Sequence, residues 1–225
     1  MPPSGKIIEL RQVLAERFPR ELPSPSSLLA TGVDCLDRPL EGGLRRGSIT
    51  QLVAPLPSCG SASLLHELIE SMQAASQFVA LIDGKNSFEL IDPANLLLWI
   101  RCDNVSQAIR AADLIIRDGN IVLSILDLKH NEARELRKVP ATSWYRLQRV
   151  TAEFETTLLL ITSYYISGSS IAALQINNPL RITDFAELSS TIPQSRLIDF
   201  IYRKNLSSEA LAKEDLQVEP QYAQA

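Results

Sequence analysis

From Ser48 to Ser163 short apolar runs alternate with longer stretches of helical periodicity, and that alternation restricts the fold more than any other feature of the sequence. The runs SITQLVA (48–54), FVALID (78–83), NLLLWI (95–100), IVLSILDL (121–128) and TTLLLITS (156–163) have the length and apolar density of buried strands. Between them, SLLHELIESMQAA (63–75) sets Leu64, Leu65, Leu68, Ile69 and Met72 on one helical face. NVSQAIRAADLIIRDG (104–119) opens on a capping asparagine and stops at Gly119, and SWYRLQRVTAEF (143–154) aligns Trp144, Leu147, Val150 and Phe154. Strands separated by helices of this length are joined by right-handed crossovers, so the expected fold is α/β, a mostly parallel central sheet flanked by helices. Beyond Ser163, SIAALQI (170–176) and SRLIDFIYRK (195–204) follow one another without a long helix, which predicts antiparallel edge strands near the C-terminus.

Such a core needs enough apolar material, and 225 residues at 45% apolar and 21% charged provide it. We place the core domain at residues 28–204. Residues 1–27 pair an amphipathic helical pattern, with Ile7, Leu10 and Leu14 on its apolar face, with the proline-rich spacer PRELPSPSS. Residues 205–225 are polar and acidic, with Leu206, Leu211 and Leu216 spaced through them; a short helix and a disordered tail both fit. The net charge of -4 gives no global basic field of the kind nucleic-acid binders carry.

The stretch 156–180 lacks charges but is broken by Thr162, Ser163, Gly168, Gln175 and Asn177, so no membrane span is expected. The first 18 residues lack the apolar core of a secretory signal, and Cys35, Cys59 and Cys102 are odd in number and far apart. A cytoplasmic protein without disulfides is therefore expected. With only His66 and His130 to help the cysteines, no metal site is expected, and no serine, histidine and aspartate set falls within a nucleophile motif.

The first crossover opens on VAPLPSCGSAS (53–63), where a nucleotide-binding α/β core carries its phosphate loop. That loop has the form G-x-x-x-x-G-K-[ST]: glycines let backbone amides wrap the phosphates, the lysine reaches the terminal ones and the hydroxyl holds magnesium. With Gly60 as the second glycine, the first falls on Pro55, which has no amide hydrogen, the lysine on Ser61 and the hydroxyl on Ala62. No lysine or arginine lies between Arg46 and Lys85, so a shifted register does not restore the cation. The loop keeps its place and a weakly anion-attracting helix dipole, and no cofactor and no enzymatic activity are expected.

The stretch LLATGVDCLDRPLEGGLRRGSITQL (28–52) resembles the lead-in to RecA-family ATP-binding cores, with Thr31, Gly32, Leu36, Asp37, Gly42, Gly43, Leu44, Gly47 and Ile49 at matching positions. FVALIDGKN resembles that family's second strand, but Asp83 is followed by Gly84 and Lys85 where the family has its catalytic glutamate. IVLSILD ends on Asp127, which matches the family's magnesium-supporting aspartate. The resemblance runs over residues 28–176 and implies a RecA-like core. Only YYISGS stands where a recombinase has a long DNA-binding loop.

A RecA-like core that has lost its phosphate loop and glutamate is similar to the ImuA family (SulA/RecA-like). That resemblance implies a non-catalytic adaptor in DNA-damage-induced translesion synthesis, with RecA and an ImuB-type polymerase homologue as partners. The alternatives are a SulA-type division inhibitor that binds the tubulin-like division protein, and a residual RecA-like ATPase given its missing cation by a partner.

Two further features bear on partners. Lys129, Arg134, Arg137, Lys138, Arg146 and Arg149 outnumber Glu132 and Glu135 where the family's first DNA-facing loop lies. They form either a weak contact for DNA backbone or an acidic surface, or a solvated helix face with ion pairs Lys129–Glu132 and Glu135–Lys138. The apolar face of Ile7, Leu10 and Leu14 either docks onto a RecA protomer, as recombinase N-terminal helices dock onto neighbouring subunits, or packs back on its own sheet.

Overall fold

A computed structural model describes residues 28–57, 59–89, 96–166 and 170–176, together with the backbone of 200–204. The chain runs β1 (Leu28–Leu29), α1 (Asp34–Asp37), β2 (Leu44–Arg45), β3 (Ile49–Val53), α2 (Ser61–Ala74), β4 (Val79–Asp83), β5 (Leu97–Arg101) and α3 (Val105–Asp118). It continues through β6 (Leu123–Asp127), α4 (Ala133–Arg137), α5 (Ala141–Glu153), β7 (Thr157–Thr162), β8 (Ala172–Ile176) and β9 (Phe200–Lys204).

Seven strands form the central sheet in the order β5-β4-β6-β7-β3-β8-β9. The first six are parallel and β9 runs antiparallel to β8. Because helices cover both faces, β3, β4 and β7 are buried along their whole length, while edge strand β5 is only half covered. One core joins α2 to the sheet face of Leu52, Leu81, Ile125, Leu159 and Leu174. The other joins α3 and α5 to the face of Ala80, Ile82, Leu126, Leu158 and Leu160. Neighbouring residues such as Leu81 and Ile82 therefore serve different cores, as strand alternation requires.

The helix signals read from sequence have their expected geometry. Asn104 accepts the Gln107 N–H at 3.0 Å, and Gly119 ends α3 at φ 71°. Trp144, Leu147 and Val150 are buried against the second core.

The antiparallel edge is confined to β8 and β9; β8 itself is parallel to β3, with Thr50 opposite Ala172. The link from β7 passes over β3 in the nine residues between Thr162 and Ala172. Nine extended residues reach roughly 30 Å, enough to return along a five-residue strand and step sideways two strands without a helix. A buried glutamine fixes this link. Gln51 Nε2 donates to Thr162 Oγ1 at 2.7 Å and to the Tyr164 carbonyl at 3.1 Å, and its Oε1 accepts the Ile166 N–H at 3.2 Å.

The sequence between 28 and 47 forms a small antiparallel hairpin, β1 with β2, around α1. Its centre is the Asp37 carboxylate, which accepts the Thr31 hydroxyl at 2.7 Å, the Thr31 N–H at 3.0 and 3.1 Å and the Gly32 N–H at 2.9 Å. At Gly43, φ is 131° and a Cβ would run into the Leu29 carbonyl, so only glycine lets the two strands close. The TG and LD elements of the sequence thus act together as a backbone clasp.

Candidate functional site

The loop that stands at the expected phosphate-loop position joins β3 to α2, and α2 begins at Ser61 on a Gly60 N-cap with φ 83°, with no side chain capping it. Pro55 follows the strand end, Ser61 is buried and Ala62 faces solvent. The ammonium group missing from the loop's own sequence arrives from elsewhere: Lys129 Nζ donates to Ser61 Oγ at 2.7 Å and lies 3.4 Å from Cys59 Sγ. The sequence groups Lys129 with a basic patch. The contact joins residues 68 positions apart, and no local pattern signals it.

Lys129 is aimed by the end of β6. Asp127 closes that strand and accepts the Lys129 N–H at 3.0 Å, turning the chain toward α2. The strand register sets Asp127 beside Asp83 at the end of β4. Burial pushes the Asp127 carboxyl above the ordinary aspartate range, against the opposing pull of the Lys129 amide and His130. Asp83 is fully buried and spent on its own turn, accepting the N–H groups of Lys85, Ser87 and Phe88 at 3.2, 3.1 and 2.8 Å.

Gly84 seals the two strand ends together. Its N–H donates to the Asp127 carbonyl at 2.8 Å, its carbonyl accepts Asn131 Nδ2 at 2.8 Å, and a Cβ there would lie 2.5 Å from Asn131 Oδ1. Lys85, which stands where a RecA-type core carries its base, is exposed.

The six basic residues after β6 make different contacts. Lys129 is committed to Ser61, while Arg146 clamps Asp113 through Nε at 3.0 Å and Nη2 at 2.7 Å, with Arg117 Nε adding a third bond at 3.1 Å. Burial alone would raise Asp113; the hydrogen bonds from Arg146 and Arg117 outweigh it and hold the carboxyl below its usual range. Arg137 lies over the Tyr164 ring at 5.8 Å, and Arg134, Lys138 and Arg149 face solvent.

The ion pairs expected within this stretch, Lys129–Glu132 and Glu135–Lys138, are absent from the salt bridges of the described residues. The reason is geometric: α4 spans only Ala133–Arg137, so Lys129 and Glu132 precede the helix and Lys138 sits at its C-cap. The docking face of Ile7, Leu10 and Leu14, and the acidic segment 205–225, lie outside the described residues.

Comparison with known proteins agrees with this fold. A model for a family of unknown function, DUF7125, matches residues 28–77, which hold the Asp37 clasp, the β3–α2 loop and α2. Proteins named RecA are similar over about half of the chain. The one from Nocardia farcinica is 31% identical over 121 residues, covering 49% of this chain and 34% of the relative. That from Streptomyces venezuelae is 30% identical over 111 residues, with 46% and 29% covered, and that from Mycobacterium avium is 30% identical over 121 residues. The chain spans about a third of the length of the curated relatives it matches. Among the described residues no helix is long and apolar enough to cross a membrane. Sheet order, helix placement and these similarities make the domain an α/β core of RecA-like type.

Proposed function

We propose that this chain is a non-catalytic RecA-like accessory protein, an adaptor for RecA and an ImuB-type polymerase homologue in damage-induced translesion synthesis. The observation that carries the non-catalytic part is the Lys129–Ser61 bond, which ties the ammonium group at this loop to a side chain of the protein itself. Around it, Pro55 removes an amide donor, Ala62 removes the magnesium hydroxyl, and Asp83 is engaged by three backbone amides with an exposed lysine two residues on. Phosphoryl transfer depends on positioned charge, and these substitutions dismantle the metal, the base and part of the amide cradle together. Similarity to RecA proteins over about half the chain supports a role beside such proteins.

The test is capture of purified RecA, the ImuB-type protein and the tubulin-like division protein by the tagged full chain, repeated after deletion of residues 1–22. Capture of RecA or the ImuB-type protein supports the adaptor; capture of the division protein alone replaces it with the inhibitor reading.

Lys129 also favours a second reading, residual nucleotide binding, because it brings from within the chain a cation otherwise sought from a partner. Thermal shift with Mg-ATP decides. Binding in the micromolar range that is lost in Lys129→Ala supports this second reading, and ATP hydrolysis by the same protein would remove the non-catalytic one.

A further inference from the structure

A groove of about 840 Å³ runs between α3 and the α4–α5 segment, on the face of the sheet away from the β3–α2 loop. Its wall includes Ile109, Val139 and Leu114, and Leu114 is 69% exposed although it sits among apolar neighbours. Arg110 and Lys138 stand exposed on opposite rims. Arg146 and Arg117 share the single carboxylate of Asp113, which leaves that cluster with one positive charge in excess. The opposing charge is Glu135, whose Oε2 is buried without a hydrogen-bond partner. The groove therefore asks for an occupant with apolar side chains, several carboxylates and a single cation.

We propose that the distal part of this same chain's segment 205–225, from Lys213 onward, occupies that groove. The segment carries Leu206, Leu211 and Leu216, four carboxylates at Glu209, Glu214, Asp215 and Glu219, and one cation, Lys213. Residues 1–22 are the poorer match, since Lys6, Arg11, Arg17 and Arg20 outnumber Glu9, Glu16 and Glu21.

Reach is sufficient for the part from Lys213 onward, while Leu206 and Glu209, within about 17 Å of the strand end, serve as the link. α3 packs on β4 and β6, and β6 lies four strand spacings from β9, roughly 20 Å. The 21 residues after Lys204 extend to roughly 70 Å at full stretch. Leu216 on the apolar wall, Glu214, Asp215 and Glu219 against Arg110 and Lys138, and Lys213 near Glu135 would cover the surface and pair its charges. This inference does not depend on the adaptor reading.

The test uses the full chain with a photo-crosslinking phenylalanine derivative in place of Leu114 and, separately, of exposed Ser106, so that one poorly folded variant does not end the experiment. The expected product is an intramolecular crosslink mapping to residues 213–225. Its yield should fall about tenfold in the Arg110→Glu, Lys138→Glu background and fall also in high salt. Crosslinks to residues 1–27, crosslinks between two copies, or no crosslink to 213–225 at either position would overturn the proposal. Failure here leaves the capture of RecA or the ImuB-type protein as a separate result.

Discussion

Asp37 shows how much of this domain hangs on single polar side chains. Its two carboxylate oxygens receive one hydroxyl and two backbone amides of the TG turn, and Thr31 is only 1% exposed. Asp37→Ala strands those donors where water reaches them poorly, and should cost about 2 kcal/mol, read as a midpoint shift in urea. Asp37→Asn should cost less, because the amide keeps one acceptor. Asp127 is the opposite case, an acid whose burial disfavours its charge. A carboxyl raised in the folded state contributes stability that is fully present below the ordinary aspartate range and is lost as pH rises through the raised value. The melting temperature of the protein relative to Asp127→Asn should therefore fall as pH rises above the ordinary aspartate range. A flat difference over that rise would show that the Lys129 amide and His130 neutralise the effect of burial.

At the scale of elements, the Asp113 clamp is the main polar tie between α3 and α5. Asp113 is 12% exposed, but Arg146 is 61% exposed, so solvent screens much of the interaction. Arg146→Ala should cost about 1 kcal/mol at neutral pH, and Arg146→Lys should not restore it, because a point charge does not span both carboxylate oxygens. Since Asp113 is held below its usual range, the stability it contributes is present at neutral pH and lost as pH falls through that lowered value. The gap between the protein and Arg146→Ala should accordingly close in acid.

The sequence makes the regular elements legible because each depends on local periodicity: Asn104 and Gly119 bound α3, and the apolar runs locate β3, β4, β6 and β7. It does not reveal that β8 lies parallel to β3, because parallel neighbours usually need a crossover longer than nine residues, and the buried Gln51 that pins the shorter link reads as an ordinary polar residue. Lys129 at Ser61 is invisible for a related reason. The absence of a lysine at Ser61 is plain from the sequence, whereas the cation that reaches Ser61 comes from another strand end.

For the whole molecule, the central sheet decides how stability is shared. Its two faces support separate cores, one with Leu68 of α2 and the other with Leu147 of α5. The strands are common to both, so neither helix layer can leave without exposing a continuous apolar face across β4, β6, β7 and β3. Unfolding of the core should therefore be one cooperative transition. Leu68 is fully buried and Leu147 is 1% exposed, so Leu68→Ala and Leu147→Ala should each cost about 3 kcal/mol. The two sites lie on opposite sides of the sheet and share no core cluster, so the double variant should lose about 6 kcal/mol, the sum of the single losses. That is a large part of the stability of an ordinary domain. Urea unfolding followed by tryptophan fluorescence and by circular dichroism checks this, with coincident curves expected for all variants. Two separated transitions, one moved by Leu68→Ala and the other by Leu147→Ala, would show instead that the helix layers melt independently of the shared sheet.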